Sequence, residues 1–123
     1  MGFDFNDINK LRKAYLAKSE ELQVAIEGNA TNESYESLSE QMAIQEVQYR
    51  KAKAKEYLKL KSDGIQVTLI PTIAKGNVGD ELLEFKVAEA VFHSRRENIK
   101  RLHANLDALR SLLSTAKSEI KIR

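Results

Sequence analysis

The stretch that decides the fold runs from residue 82 to residue 121 and reads LLEFKVAEAVFHSRRENIKRLHANLDALRSLLSTAKSEIK. Apolar residues recur in it at every seventh position, and the positions three residues after them that lie within the stretch are apolar in all but one case. These positions are Phe85, Ala88, Phe92, Ile99, Leu102, Leu106, Leu109, Leu113, Ala116 and Ile120. The exception is Arg95, and the stretch contains no Gly or Pro. This spacing predicts one unbroken α-helix with an apolar seam, from about residue 80 to residue 121.

Two earlier segments are also predicted to be helical. The first covers residues 6–27, with Asn6 or Asp7 as its N-cap and Gly28-Asn29 as its stop. The second covers residues 31–62 and ends at Asp63-Gly64. It carries two apolar stripes, one formed by Tyr35, Leu38, Met42 and Tyr49, the other by Ile44, Val47, Ala54 and Leu58. We expect a helix with two apolar stripes to bury both of them, and therefore to lie between two packing partners.

Residues 63–79 are predicted to be irregular, with two interpretations of their middle part. The β-branched run at residues 65–70 is typical of a short strand. The alternative is a short helix at residues 69–75, with Thr68 as N-cap, Pro71 in its first turn and Gly76 as its stop. We favour the helix. The predicted fold class is therefore all-α, a single domain of residues 1–123 arranged as a helical hairpin or three-helix bundle.

The seam of the last helix also predicts self-association. It is longer than the first helix could cover, so it packs either on the second helix or on another copy of itself. We expect a homo-oligomer whose interface contains Phe85, Phe92, Ile99, Leu102, Leu106, Leu109 and Leu113.

Composition argues against a catalytic role. The chain has no Cys, and its two histidines, His93 and His103, are not spaced to bind one metal ion from a helix face. No Gly-rich phosphate loop or nucleophile elbow is present. We therefore predict a protein that is not an enzyme, binds no metal or cofactor, has no membrane partner and resides in the cytoplasm.

Charge is divided unevenly along the chain. Residues 1–49 carry four basic and nine acidic side chains, whereas residues 50–123 carry sixteen basic and nine acidic ones. Such a division favours an anionic partner for the second part, or head-to-tail pairing of chains.

The strongest candidate site is the basic segment, residues 50–61, which reads RKAKAKEYLKLK. Clustered cations bind nucleic-acid phosphates by releasing counterions, and tyrosine rings can stack on unpaired bases. The candidate contacts are Arg50, Lys51, Lys53, Lys55, Tyr57, Lys59 and Lys61, together with Arg95, Arg96 and Lys100 of the last helix. The alternative is that these cations only solvate the helix surfaces. Single-stranded DNA or RNA is the predicted partner.

The chain resembles small phage-encoded recombination mediators of the UvsY-like kind. The likeness rests on the length, on the order of acidic helix, basic helix, break and long last helix, and on Lys53-Ala54-Lys55 followed closely by Tyr57. It spans residues 35–121 in pattern and is specific over about fifteen residues. The resemblance implies a ring-like oligomer formed through the last helix, and binding of single-stranded DNA through Lys53 and Lys55, with Tyr57 beside them. It further implies the loading of a recombinase inside a host cell.

Two other functions are compatible with the sequence. The first is a phage-type inhibitor that binds a host nuclease or defence protein, with the acidic first helix and residues 65–80 as contact surfaces. The second is a structural coiled-coil subunit of a larger assembly.

Overall fold

The computed structural model describes residues 2–122, with side chains for residues 2–120. It contains four α-helices: α1 (Phe5–Glu27), α2 (Tyr35–Ser62), α3 (Ile70–Asn77) and α4 (Gly79–Ile122). The prediction of an all-helical chain is confirmed, and no strand occurs in the described part. None of the helices traced over residues 2–122 combines the length and the apolar character needed to cross a membrane.

Helix α1 begins with a capping box. The backbone N–H of Asp7 donates to Asp4 Oδ1 at 2.9 Å, and the backbone N–H of Asp4 donates to Asp7 Oδ2 at 3.0 Å. Each carboxylate satisfies a donor that the first helical turn leaves without a partner. The N-cap is therefore Asp4, and the predicted cap at Asn6 or Asp7 is wrong.

The turn between α1 and α2 explains why α2 starts at Tyr35 and not at residue 31. The side-chain oxygen of Asn29 accepts hydrogen bonds from the backbone N–H groups of Thr31 and Asn32, at 3.0 and 2.9 Å. These bonds hold the two residues in a turn that competes with helix. Gly28 makes the turn possible, since its φ is +78° and a Cβ there would lie 2.6 Å from the carbonyl oxygen of Asn32.

The segment after α2 contains the short helix α3, so the strand interpretation of residues 65–70 is wrong. Helix α2 ends at Ser62, as predicted, with Gly64 at φ +80° and the N–H of Ile65 donating to the carbonyl of Leu60. Helix α3 starts one residue later than predicted, after Leu69, and Thr68 is not its cap. It also continues through Gly76, which lies inside the helix. Ile70 and Ala74 of α3 are buried against Leu60, and this small cluster fixes the helix on the end of α2.

The helices belong to two compact units. The first unit contains the chain up to Tyr35 and the part of α4 from Arg95 onward. The second unit is Glu36–Ser94, which comprises the rest of α2, all of α3 and the first part of α4. Helix α4 is one continuous element of 44 residues, as predicted, and contributes residues to both units.

In the first unit, α1 packs antiparallel to α4, and polar contacts at three heights join the two helices. The backbone N–H of Phe3 donates to Glu119 Oε2 at 3.0 Å, and Arg110 Nη2 donates to Tyr15 Oη at 3.1 Å. At the other end, Arg95 Nη1 donates to the carbonyl of Ala25 at 3.0 Å. The buried apolar residues of this unit are Ile8, Ala25, Leu102, Leu106 and Ala116.

In the second unit, α2 and the first part of α4 are joined by an aromatic pair. The rings of Tyr49 and Phe85 stack with their centroids 6.0 Å apart. Near the end of α2, Asn77 Nδ2 donates to Glu56 Oε2 at 3.1 Å. Leu38, Leu60, Ile70, Ala74, Val78 and Phe92 are the buried apolar residues of this unit.

The predicted seam of α4 is covered within a single chain. Every seam position is at least half-buried, and Phe92, Leu102, Leu106 and Ala116 are fully buried. Phe85, Ile99, Leu109 and Leu113 are half-buried. The seam therefore does not require a second copy to cover it, and self-association through it stays a prediction.

Candidate nucleic-acid interface

The basic segment forms the C-terminal half of α2, and its side chains lie in two rows. At 100° per residue, positions three or four apart share a helix face, whereas adjacent positions do not. Lys51, Lys55 and Lys59 therefore form one row. The other row contains Arg50, Lys53, Tyr57 and Lys61. Residues 50–61 were predicted to form one surface, and helical spacing is the signal that separates their side chains into two rows.

The first row, which we call the lysine row, consists of three exposed ammonium groups: Lys51, Lys55 and Lys59. None of them forms an ion pair with any residue whose side chain the structure describes. Successive members are about 6 Å apart along the helix axis. Lys51 and Lys55 line a shallow groove of about 490 Å³, whose other wall is formed by Asn77, Val78 and Glu81.

The second row is already engaged in contacts within the chain. Arg50 Nη2 lies 2.6 Å from Glu46 Oε1. Lys53 Nζ lies 5.8 Å from the ring centroids of both Tyr49 and Tyr57, a cation–π arrangement. Lys61 is the one exposed cation of this row without an ion-pair partner among residues 2–120. The side chains of the two rows therefore point in different directions. Those of the lysine row are free to contact a ligand, whereas most of those in the second row already contact other residues of the chain.

Tyr57 is part of the packing of α3 on α2. Its side chain is half-buried and contacts the cluster of Leu60, Ile70 and Ala74. Lys53 lies over its ring, and Tyr57 serves as a packing residue of the second unit.

The second predicted cluster, Arg95, Arg96 and Lys100, lies in the first unit. Arg95 Nη1 donates to the carbonyl oxygens of Ala25 and Glu33, at 3.0 and 2.6 Å. It thereby satisfies a carbonyl that the end of α1 leaves unpaired, which explains a cation at a seam position. Arg96 Nε and Lys100 Nζ lie 3.8 and 3.5 Å from Glu97 Oε1, which offsets part of their charge.

Among the other ionisable groups, Arg110 has a shifted pKa. The hydrogen bond to Tyr15 raises the pKa of Arg110 above its ordinary value, so this group remains a cation. The described residues contain no group of three or more His, Cys, Asp or Glu side chains able to hold a metal ion. His93 and His103 are both exposed on α4.

Compared with known proteins, the chain matches no family model, no curated protein and no solved structure. The resemblance to UvsY-like mediators therefore rests on the residues quoted above, and function has to be argued from the surface itself.

Proposed function

We propose that this chain is a non-catalytic accessory protein that binds single-stranded nucleic acid through the basic half of α2. The lysine row supplies the principal phosphate contacts. Arg50, Lys53 and Lys61 add positive potential from the neighbouring row.

The observation that carries the proposal is the lysine row's lack of internal partners. Some lysines of this chain form pairs with carboxylates three residues away, as Lys86 does with Glu89. Lys51, Lys55 and Lys59 have no such pair within residues 2–120. Three ammonium groups without an ion pair on one helix face, two of them beside a groove that Glu81 also lines, are suited to a polyanion, because each phosphate neutralised releases a counterion.

The finer form of the proposal is a phage-type recombination mediator. In that role the bound strand would be handed to a recombinase, and the chain would act as an oligomer inside a host cell. The support for this form is the resemblance at Lys53-Ala54-Lys55 and Tyr57, with the long last helix that follows.

The proposal is tested by titrating a labelled single-stranded oligonucleotide with the full chain at about 50 mM and about 200 mM salt. If four phosphates are contacted, affinity should fall about 50-fold between the two conditions, since the log–log slope is roughly 0.7 per contact for single strands. Poly-dT and a mixed sequence should bind alike, because phosphate contacts carry no sequence information. Absence of binding at the lower salt would end the proposal.

A further inference from the structure

The outward face of α2 is an apolar stripe that the chain leaves uncovered. It consists of Ile44, Val47, Ala54 and Leu58, which follow one another at three-, seven- and four-residue steps, and all four are exposed. Leu58 alone is 70% exposed. The stripe is opposite the side of α2 that carries Leu38, Met42 and Tyr49. The sequence predicted that both faces of this helix would be buried, and the folded chain buries only one.

Charge along this outward face changes sign from one end to the other. Glu36 and Glu40 lie at its N-terminal end and are exposed. Lys61 lies at its C-terminal end, Lys51 lies at the middle of the stripe and Lys55 lies beside it, and all three are exposed. The apolar stripe lies between and among these charges. A partner suited to this face therefore has apolar side chains opposite the stripe, a basic group beside Glu40 and an acidic group beside Lys61.

A second copy of α2 in the antiparallel direction has this pattern. We infer that two chains pair through the outward faces of their α2 helices, antiparallel and related by a two-fold axis. The stripe aligns Ile44 with Leu58 of the second copy and Val47 with its Ala54. This register also brings Glu40 alongside Lys61 of the second copy. The face is thus self-complementary, as a two-fold interface requires.

The parallel alternative is disfavoured by the same charges. It would place each glutamate beside its own counterpart and each lysine likewise, and like charges in such positions oppose pairing. The antiparallel register leaves one unfavourable contact, because Lys51 lies beside Lys51 of the second copy at the two-fold axis. A polar residue at a single seam position lowers stability while fixing orientation and register.

The inference is tested by measuring mass with analytical ultracentrifugation across a concentration series, without nucleic acid. The wild-type mass should rise from 13.9 kDa toward twice that value by about 100 µM protein. Leu58→Glu should weaken association at least tenfold, because it places a carboxylate in the stripe. The matched control is Leu83→Glu, a leucine of α4 that is 63% exposed and lies outside the stripe. It should leave the mass curve unchanged.

Two further variants test the register. Lys51→Leu should tighten association, since it removes the repulsion at the axis. The chain has no Cys, so Ile44→Cys and Leu58→Cys introduce single thiols. Oxidation of the two variants mixed together should yield a covalent dimer, whereas oxidation of either alone should not.

A monomeric wild type at all concentrations would overturn the inference, as would equal weakening by Leu58→Glu and Leu83→Glu. Covalent dimers of each cysteine variant alone would show parallel pairing and would also overturn it. Lys51 belongs to both this interface and the lysine row, so pairing and strand binding share that side chain. Because no nucleic acid is present, the mass series tests pairing alone, and the oligonucleotide titration tests strand binding separately.

Discussion

Tyr57 is a residue whose sequence context suggests base stacking but whose side chain packs inside the second unit. Its place within a run of lysines suggested a stacking surface, but its side chain contacts Leu60, Ile70 and Ala74. Tyr57→Ala should lower the free energy of unfolding by about 2 kcal/mol, about half the loss for a fully buried aromatic side chain. Chemical denaturation followed by circular dichroism measures this.

The matched control is Tyr57→Phe, which keeps the ring and should change stability by less than about 0.5 kcal/mol. An alanine variant that unfolds like the wild type and yet binds the oligonucleotide much more weakly would assign the ring to a base and not to the packing.

Gly28 has the backbone conformation that governs the turn after α1. Its φ of +78° and ψ of −178° lie in a region that only glycine adopts readily, and an added Cβ would meet backbone atoms of Asn32, Glu33 and Ser34 at 2.6–2.8 Å. Gly28→Ala should therefore cost more than the 1–3 kcal/mol or so of conformational strain alone. Thermal denaturation provides the measurement.

Gly64 offers the control for Gly28, because its φ is also positive but an added Cβ would have no atom within 4 Å. Gly64→Ala should cost only about 1–2 kcal/mol. Equal losses of stability in Gly28→Ala and Gly64→Ala would mean that the backbone facing an added Cβ at residue 28 moves away at no cost in free energy.

At the scale of the element, the apolar seam of α4 packs against α1 in the first unit and against α2 in the second. Leu106 belongs to the buried residues of the first unit, with 6% of its surface exposed. Leu106→Glu should unfold or strongly destabilise that unit, because a buried carboxylate without a partner costs several kcal/mol. Leu112→Glu, at a leucine that is 44% exposed, should be tolerated.

Helicity and mass together distinguish the two roles considered for this seam. Loss of helicity in Leu106→Glu agrees with packing inside the chain. Full helicity combined with a reduced mass would instead place Leu106 in an interface between chains, as the seven-residue spacing alone had suggested.

The helices themselves follow from the sequence more closely than their ends do. Apolar periodicity predicted α4, because the pattern extends over many residues, and Asp63-Gly64 predicted the stop of α2. The start of α1 was missed because the Asp4–Asp7 box depends on two reciprocal side-chain bonds. The start of α2 was missed because Asn29 holds the following residues in a turn.

The sequence places the candidate site on α2, where it stays a prediction, and its division into two rows was not anticipated. Counting cations in residues 50–61 gives a single patch, whereas the helix directs Lys51, Lys55 and Lys59 to one side and Arg50 and Lys53 to another. Arg95 was predicted to contact nucleic acid. In the structure it donates hydrogen bonds to the carbonyls of Ala25 and Glu33. Such bonds to distant carbonyls show in the sequence only as a cation at a position of an apolar seam.

At the scale of the whole molecule, the two units use their charges differently. In the first unit, Arg95 and Arg110 bond to groups of the same unit, which ties α1 to α4. In the second unit, the lysine row points away from the packed core and lacks internal partners among the described residues. The lysine row of the second unit is therefore a set of cations, gathered on one helix face, that is available to an outside polyanion.

The most direct test of this conclusion compares salt dependence in two variants that lose the same charge. Lys51→Ala, Lys55→Ala and Lys59→Ala combined remove the lysine row. Lys10→Ala, Lys13→Ala and Lys117→Ala combined remove three exposed lysines of the first unit that have no ion pair among the described side chains. Alanine retains helix propensity at all six positions, so both variants should fold.

We predict that loss of the lysine row weakens single-strand binding and lowers the log–log salt slope by about 2, while the control variant keeps nearly the wild-type slope. Equal slopes for the two variants would show that binding depends on net charge alone, and would contradict a phosphate-binding surface on α2.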